Sequence, residues 1–398
     1  MNSLKIVALF FLGLLLFLSL LLFGFLFSIK MTALDANYVI SRLDNLPLAP
    51  LIEDMEFDET IEKNAAFVNV IRNAVIDNEA EIKERTGEMI TWVYGYLNGK
   101  SEDLDMALVL KDTVLDPDFS ISIVQKADLK SLAKELVVEM MADTDIPYGL
   151  SLDPHIDDIS LDLEPWLKEQ VTNSIPPIYD YVLGFSQDTS IVIQLDPVKE
   201  IMRSILKQDF LNSPPAEFTE LPRTELEQKF DEVFNDIAGD IWSSIAIDME
   251  LLESDIPSDI AKSLADVEDA LSESRKYIGI FNIVYILLIA LLVLLIVGVI
   301  LIYRDFKTVS RILGGIFLGY GTVSLIIVSI TRATARAQIK AIDDVPASLQ
   351  TWIEQSATNS LAPVVLLSII LLIIGIALLV IPFIYKRNQP QTGTIKEA

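Results

Sequence analysis

One histidine stands in a chain of 398 residues, inside the acidic run Ser151-Leu152-Asp153-Pro154-His155-Ile156-Asp157-Asp158. A catalytic zinc site draws on two or three imidazoles, or on imidazole with carboxylate and thiolate. His155 alone therefore reads as a turn residue. Asp153, Asp157, Asp158 and Asp162 offer the hard oxygen atoms that Ca²⁺ prefers, but the EF-hand order with its central glycine is missing. They are calcium candidates by residue type only, and no metal or other cofactor is expected.

Other chemistries fail on their motifs. No serine sits in a Gly-x-Ser-x-Gly elbow, no Asp-Thr/Ser-Gly occurs, and phosphate-cradling glycine loops and dinucleotide fingerprints are absent. Carboxylate pairs for glycoside hydrolysis cannot be singled out among so many acids. There is no cysteine, which removes thiol catalysis, thiolate zinc and disulfides. The chain reads as a non-enzyme.

The elements around these residues are set by four long runs free of Asp, Glu, Lys, Arg and His: Ile6 to Ile29, Ile278 to Tyr303, Ile312 to Thr331 and Leu361 to Tyr385. Each reaches the ~20 residues that a helix needs to cross a ~30 Å hydrocarbon core. The expected organisation is a signal-anchor helix (1–29), an acidic exported segment (30–277), spans at 278–303, 312–331 and 361–385, loops at 304–311 and 332–360, and a tail at 386–398. The first run is longer than a signal h-region and ends at Phe27-Ser28-Ile29-Lys30-Met31 without a small-x-small site, so an uncleaved anchor is expected.

Orientation follows from charge. Lys5, Arg304, Lys307, Arg311, Lys386, Arg387 and Lys396 lie on the side of the termini, against Asp305 and Glu397. The positive-inside rule makes that side the cytoplasm and residues 30–277 external; Arg332, Arg336 and Lys340 in the opposite loop reduce the bias. Residues 30–277 carry 52 of the 57 acidic residues and 20 of the 30 basic ones, a net charge of about −32. Such a surface repels nucleic acid and anionic lipid. The missing Asn-x-Ser/Thr sequons favour a prokaryotic source and hence a plasma membrane, and a 248-residue segment without disulfides can bury a core without staples.

Helical periodicity dominates the exported segment. Ile82, Met89, Ile90, Val93, Tyr94 and Leu97 share a stripe, as do Leu129, Leu132, Leu136, Val137 and Met140, and Leu226, Phe230, Val233, Phe234, Ile237 and Ile241. Short strands are expected at Met106–Leu110, Ser190–Leu195 and Ser244–Leu251. The fold class is mainly α: a four-helix transmembrane region plus a large α-rich (α+β) extracytoplasmic domain with a few short strands.

A motif repeats: Tyr94-x-Tyr96-x-x-Gly99 and Tyr179-x-Tyr181-x-x-Gly184, each before an expected strand, with a degraded copy at Phe234–Leu251. Both glycines suit a helix C′ position. Asp196-Pro197 starts a further helix with Val198, Ile201, Met202 and Ile205 on its apolar face. Ile260, Leu264, Val267 and Leu271 keep helical spacing toward the second span, which predicts a stalk continuous with it. In the third span Gly315 and Gly319 form a Gly-x-x-x-Gly pair expected to pack helices, beside Thr322, Ser324 and Ser329.

Over residues 35–110 the helix, Gly-ended turn and strand behind a signal anchor resemble a loosely defined set of uncharacterised prokaryotic four-span membrane proteins. That set implies the architecture and no catalytic residue. In topology the chain also resembles the MacB and FtsX permease families: one span, a large exported domain, three further spans. Two functions follow as expectations. One is a non-enzymatic envelope scaffold whose exported domain binds a protein partner or a second copy. The other is a permease-like subunit of a transport or mechanotransmission complex.

Overall fold

The computed structural model describes residues 3–53, 65–142, 148, 153–186, 190–240, 244–248, 256–341 and 345–387. In chain order the helices are α1 (Ser3–Met31), α2 (Ala36–Asp44), α3 (Leu48–Glu53), α4 (Ala65–Asp77), α5 (Glu79–Leu97), α6 (Met106–Lys111), α7 (Pro117–Lys126), α8 (Lys130–Ala142), α9 (Ile156–Val182), α10 (Asp196–Asn212), α11 (Arg223–Asp240), α12 (Ile256–Tyr303), α13 (Phe306–Ile339), α14 (Ala347–Asn359) and α15 (Ala362–Arg387). Strands β1 (Ser190–Gln194) and β2 (Ser244–Asp248) form one antiparallel ladder, Ser190 opposite Asp248 and Gln194 opposite Ser244.

The chain does not break into compact units at residues 30 and 277. One unit takes Met1–Pro47, Ile90–Asp103 and Leu271–Ala398, and the other takes Leu48–Met89 and Leu104–Ala270. Helices α5 and α12 contribute residues to both. The stretches 30–47, 90–103 and 271–277 thus cluster with the apolar helices.

Among the described residues, four helical stretches are long and apolar enough to cross a membrane: Phe10–Met31, Ser258–Tyr303, Phe306–Ile339 and Ala347–Pro382. Their burial is inverted relative to a water-soluble bundle. Phe10, Leu294 and Leu301 are about two-thirds exposed, whereas Ser310 and Ser368 are buried. Lipid tolerates the first pattern, and the second keeps hydroxyls on protein partners. Leu16, Leu20, Leu295, Val299, Leu313 and Tyr320 fill the interior of this bundle.

Helices α13 and α15 make the tightest contact. A Cβ added at Gly314 would lie 2.9 Å from the Gly375 carbonyl oxygen, and one at Gly321 would lie 2.8 Å from the Ser368 carbonyl oxygen. Ser310 donates to the Leu378 carbonyl, and the Ser324 and Ser368 hydroxyls are hydrogen-bonded at 2.8 Å. Small residues bring the two backbones together, and buried serines then bond across the gap.

Several expected boundaries shift. The loop 304–311 is mostly helix: only Arg304 and Asp305 separate α12 from α13. Arg304 takes a left-handed φ of 48°, and the Asp305 carboxylate caps α13 by accepting from the Thr308 N–H at 3.1 Å. The loop 332–360 contains the end of α13 and all of α14, joined by an Arg336–Glu354 ion pair at 2.9 Å. Helix α12 runs without interruption from Ile256 to Tyr303, as the stalk periodicity predicts.

In the second unit, α8, α9, α10 and α11 surround Val137, Ile159, Leu163, Met202, Phe210 and Phe230. The stripes on Leu226, Phe230, Val233 and Phe234 and on Val198 and Met202 are buried as their spacing requires. Leu195 is also in this core. Among the described residues, part of the expected sheet is seen. Met106–Leu110 is not a strand but lies in α6, because the Asp105 carboxylate accepts from the Leu108 N–H at 3.0 Å and caps a helix there. Ser190–Leu195 stops as a strand at Gln194, and Ser244–Leu251 is a strand over Ser244–Asp248. Residues 249–251 and Trp242 lie outside the described residues, as do the side chains of Met140, Ile237 and Ile241.

Candidate functional site

An apolar groove about 470 Å³ in volume lies in the second unit. Four helices wall it. Phe67, Val70, Ile71 and Ala74 come from α4, where the i, i+3, i+4, i+7 spacing puts them on one face. Ile123, Val124 and Ala127 come from the end of α7, Leu129, Leu132 and Leu136 from α8 and the turn before it, and Leu167 and Val171 from α9. Two charged residues complete the lining, Glu135 and Glu139, one turn apart on α8.

Capping sets the directions of these walls. Asp116 accepts from the Asp118 N–H at 3.0 Å, with Pro117 at the first helical position of α7. Asp128 accepts from the Lys130 N–H at 3.0 Å and starts α8 after the three-residue connection Ala127–Leu129. Helices α7 and α9 are tied by Ser120 and Tyr179, whose hydroxyls are 2.7 Å apart. Nearby cations are engaged elsewhere: Lys134 pairs with Asp157 at 2.9 Å and Lys168 with Glu164 at 2.9 Å. Among the described residues neither Glu135 nor Glu139 meets a cation within ion-pair distance.

Among the described residues the acidic candidates do not assemble into a metal site. Asp157 is turned to Lys134, whose hydrogen bond and charge hold its carboxyl below the usual carboxylate range. Asp158 and Asp162 are exposed on α9, and the Asp153 side chain lies outside the described residues. Among the described residues no three His, Cys, Asp or Glu side chains converge. His155 ends the short 3₁₀ turn before α9 with Nε2 2.6 Å from Asp209, a pairing that ties α10 to this turn.

The repeated motif is a helix stop used twice. Lys100 N–H donates to the Gly95 carbonyl and Gly99 N–H to that of Tyr96, both at 2.9 Å. Phe185 N–H donates to the Asp180 carbonyl at 2.7 Å and Gly184 N–H to that of Tyr181 at 3.0 Å. These are paired 6→1 and 5→2 bonds of a Schellman cap, and the glycines adopt φ of 75° and 79°. The tyrosines then diverge. Tyr94 donates to the Ala33 carbonyl at 2.7 Å, its phenol pushed up mainly by burial, whereas Tyr179 meets Ser120. Tyr96 is buried under Arg275, whereas among the described residues no cation lies over the Tyr181 ring.

The close helix contact does not fall on the expected Gly-x-x-x-Gly pair. A Cβ at Gly315 would meet nothing within 4 Å, and one at Gly319 only Phe17 at 3.9 Å. Gly314, Gly321 and Gly375 make the close helix contact instead. Thr322 and Ser329 donate to the carbonyls of Leu318 and Leu325 at 2.9 and 2.8 Å, so their hydroxyls are spent on their own helix rather than lining a path.

Family models, characterised proteins and solved structures were compared with the chain, and none matches it. The groove is the feature that sequence reasoning missed. The α4 stripe at 67, 70, 71 and 74 was its available signal, while Leu129, Leu132 and Leu136 read as ordinary core positions.

Proposed function

We propose that this chain is a membrane-anchored, non-enzymatic binding protein that engages a protein partner through the apolar groove of its helical unit. The observation that carries the proposal is the groove itself. Its volume falls in the range of formed binding sites, and its walls are apolar except for two carboxylates. The Lys/Arg distribution supports cytoplasmic termini and an external groove. The chemistry-bearing motifs that would favour an enzyme are missing from the sequence.

A second reading has one specific observation behind it. The unbroken α12 from Ile256 to Tyr303 fits a permease-like subunit of MacB or FtsX type, in which an external helix enters the bilayer. Against it, Arg304 and Asp305 alone connect α12 to α13 and offer little surface to a cytoplasmic ATPase.

A photo-crosslinking residue placed at Phe67 in intact cells tests the first reading. Phe67 lines the groove, whereas Leu161, 57% exposed on α9, does not and serves as the control. A discrete protein adduct is expected at 67 only. Equal adducts at both positions, or adducts at neither, end the proposal.

A further inference from the structure

We infer that the groove accepts an amphipathic helix with basic residues flanking its apolar face. The inference rests on the groove being the binding surface, as proposed above, and adds the chemistry of its occupant.

Shape and hydrogen bonding select a helix. The walls are side chains of four helices, with no strand edge among the lining residues. An extended peptide laid against them would bury N–H and C=O groups without partners, which is costly. A helix brings its own backbone bonds and offers only an apolar stripe, the mode used wherever a helix fills a hydrophobic groove. Aromatic and aliphatic walls such as Phe67, Ile71 and Leu132 match that stripe.

Charge selects a basic one. Glu135 and Glu139 are one helical turn apart beside apolar walls, and no described cation neutralises them. Lys or Arg residues four apart on an occupant's flank would face both. The segment 30–277, at about −32, also draws cationic partners and slows anionic ones. The same two carboxylates repel a fatty acid or phospholipid headgroup, although the apolar walls alone would accept an acyl chain.

The test uses the full chain in zwitterionic lipid nanodiscs. Since the sequence has no cysteine, a single Asn69→Cys carries an environment-sensitive dye. Asn69 is exposed on α4 beside Val70, so the dye reports occupancy of the groove rather than binding to lipid. The probes are 18-residue peptides: a Leu/Lys amphipathic helix, its Leu/Glu and Leu/Gln counterparts, and a Leu/Lys scramble without an apolar face. A long-chain alcohol is the acyl probe.

Only the Leu/Lys helix should shift the dye at low micromolar concentration. Glu135→Gln with Glu139→Gln should weaken it by about three- to tenfold, and raised salt should reproduce part of that loss. A dye response to the Leu/Glu or Leu/Gln helix of equal strength, to the scramble, or to the alcohol in place of the peptide overturns the basic-helix inference while leaving the groove as a site. So does an unaltered response in the double carboxamide variant. If no probe shifts the dye, and Leu132→Trp also leaves the Phe67 crosslink in cells unchanged, the groove reading itself fails.

Discussion

Arg275 lies over the ring of Tyr96, 4.6 Å from its centroid, and donates through Nη1 to the Glu102 carbonyl at 2.9 Å. One guanidinium thereby holds both the last turn of α5 and the segment beyond its glycine stop. A planar fork can stack and donate together, which an ammonium cannot do equally well.

The Arg275–Tyr96 pair should show measurable coupling. In a double-mutant cycle of Arg275→Ala and Tyr96→Leu, read by thermal unfolding in detergent, a coupling of about 0.5 to 1 kcal/mol is expected. Arg275→Lys should retain only part of it. Additive single losses would mean that the stacking contributes nothing.

Glycines in one motif should respond with opposite signs. Gly99 and Gly184 occupy left-handed φ, and nothing lies within 4 Å of a Cβ built at Gly184, so Gly184→Ala costs only backbone strain of about 1 to 2 kcal/mol. Gly95 sits inside helix α5 with open space around it, so Gly95→Ala should stabilise by up to about 1 kcal/mol. Differential scanning of the single variants separates the two cases, and a stabilising Gly184→Ala would contradict the cap assignment.

These glycines and the four apolar runs were legible in sequence because each rests on a local rule: a C′ residue needs left-handed φ, and a span needs about twenty uncharged residues. Met106–Leu110 was not. Five apolar residues carry too little period to separate strand from helix, and the deciding signal was Asp105 in front of them. The shift from Gly315 and Gly319 to Gly314, Gly321 and Gly375 depends on the rotation of α13 against α15, which a pattern within one helix does not contain. The groove depends on four helices at once. Its α4 wall had a readable stripe, but nothing local to α8 distinguishes a groove-lining leucine from a core one.

Close contact between α13 and α15 predicts a sharp contrast along one helix. Gly321→Ala would place a methyl 2.8 Å from both Leu372 Cβ and the Ser368 carbonyl oxygen, and separating the helices should cost about 1 to 3 kcal/mol. Gly315→Ala meets nothing and should be neutral or slightly stabilising. Unfolding in mixed micelles with rising SDS measures both. If Gly315→Ala proves the more damaging, a second copy or another partner packs on that face.

Asp231 should make stability depend on pH in a defined direction. Arg203 donates to its carboxylate at 2.9 Å and Lys207 lies 3.6 Å away, and that hydrogen bond, with the nearby charges, lowers the carboxyl below its usual range. A group whose folded value is depressed stabilises the fold above its unfolded value near pH 4 and loses that contribution as pH falls through the lower folded value. The carboxylate is partly exposed, so the contribution is about 0.3 to 1 kcal/mol. Asp231→Asn should therefore melt below the unsubstituted chain at pH 7, and the gap should close progressively below pH 4. It should also narrow in high salt. A gap that stays constant down to pH 2 would mean that the asparagine disturbs packing near Phe234, whose ring lies 6.0 Å from the same guanidinium, rather than removing a charge.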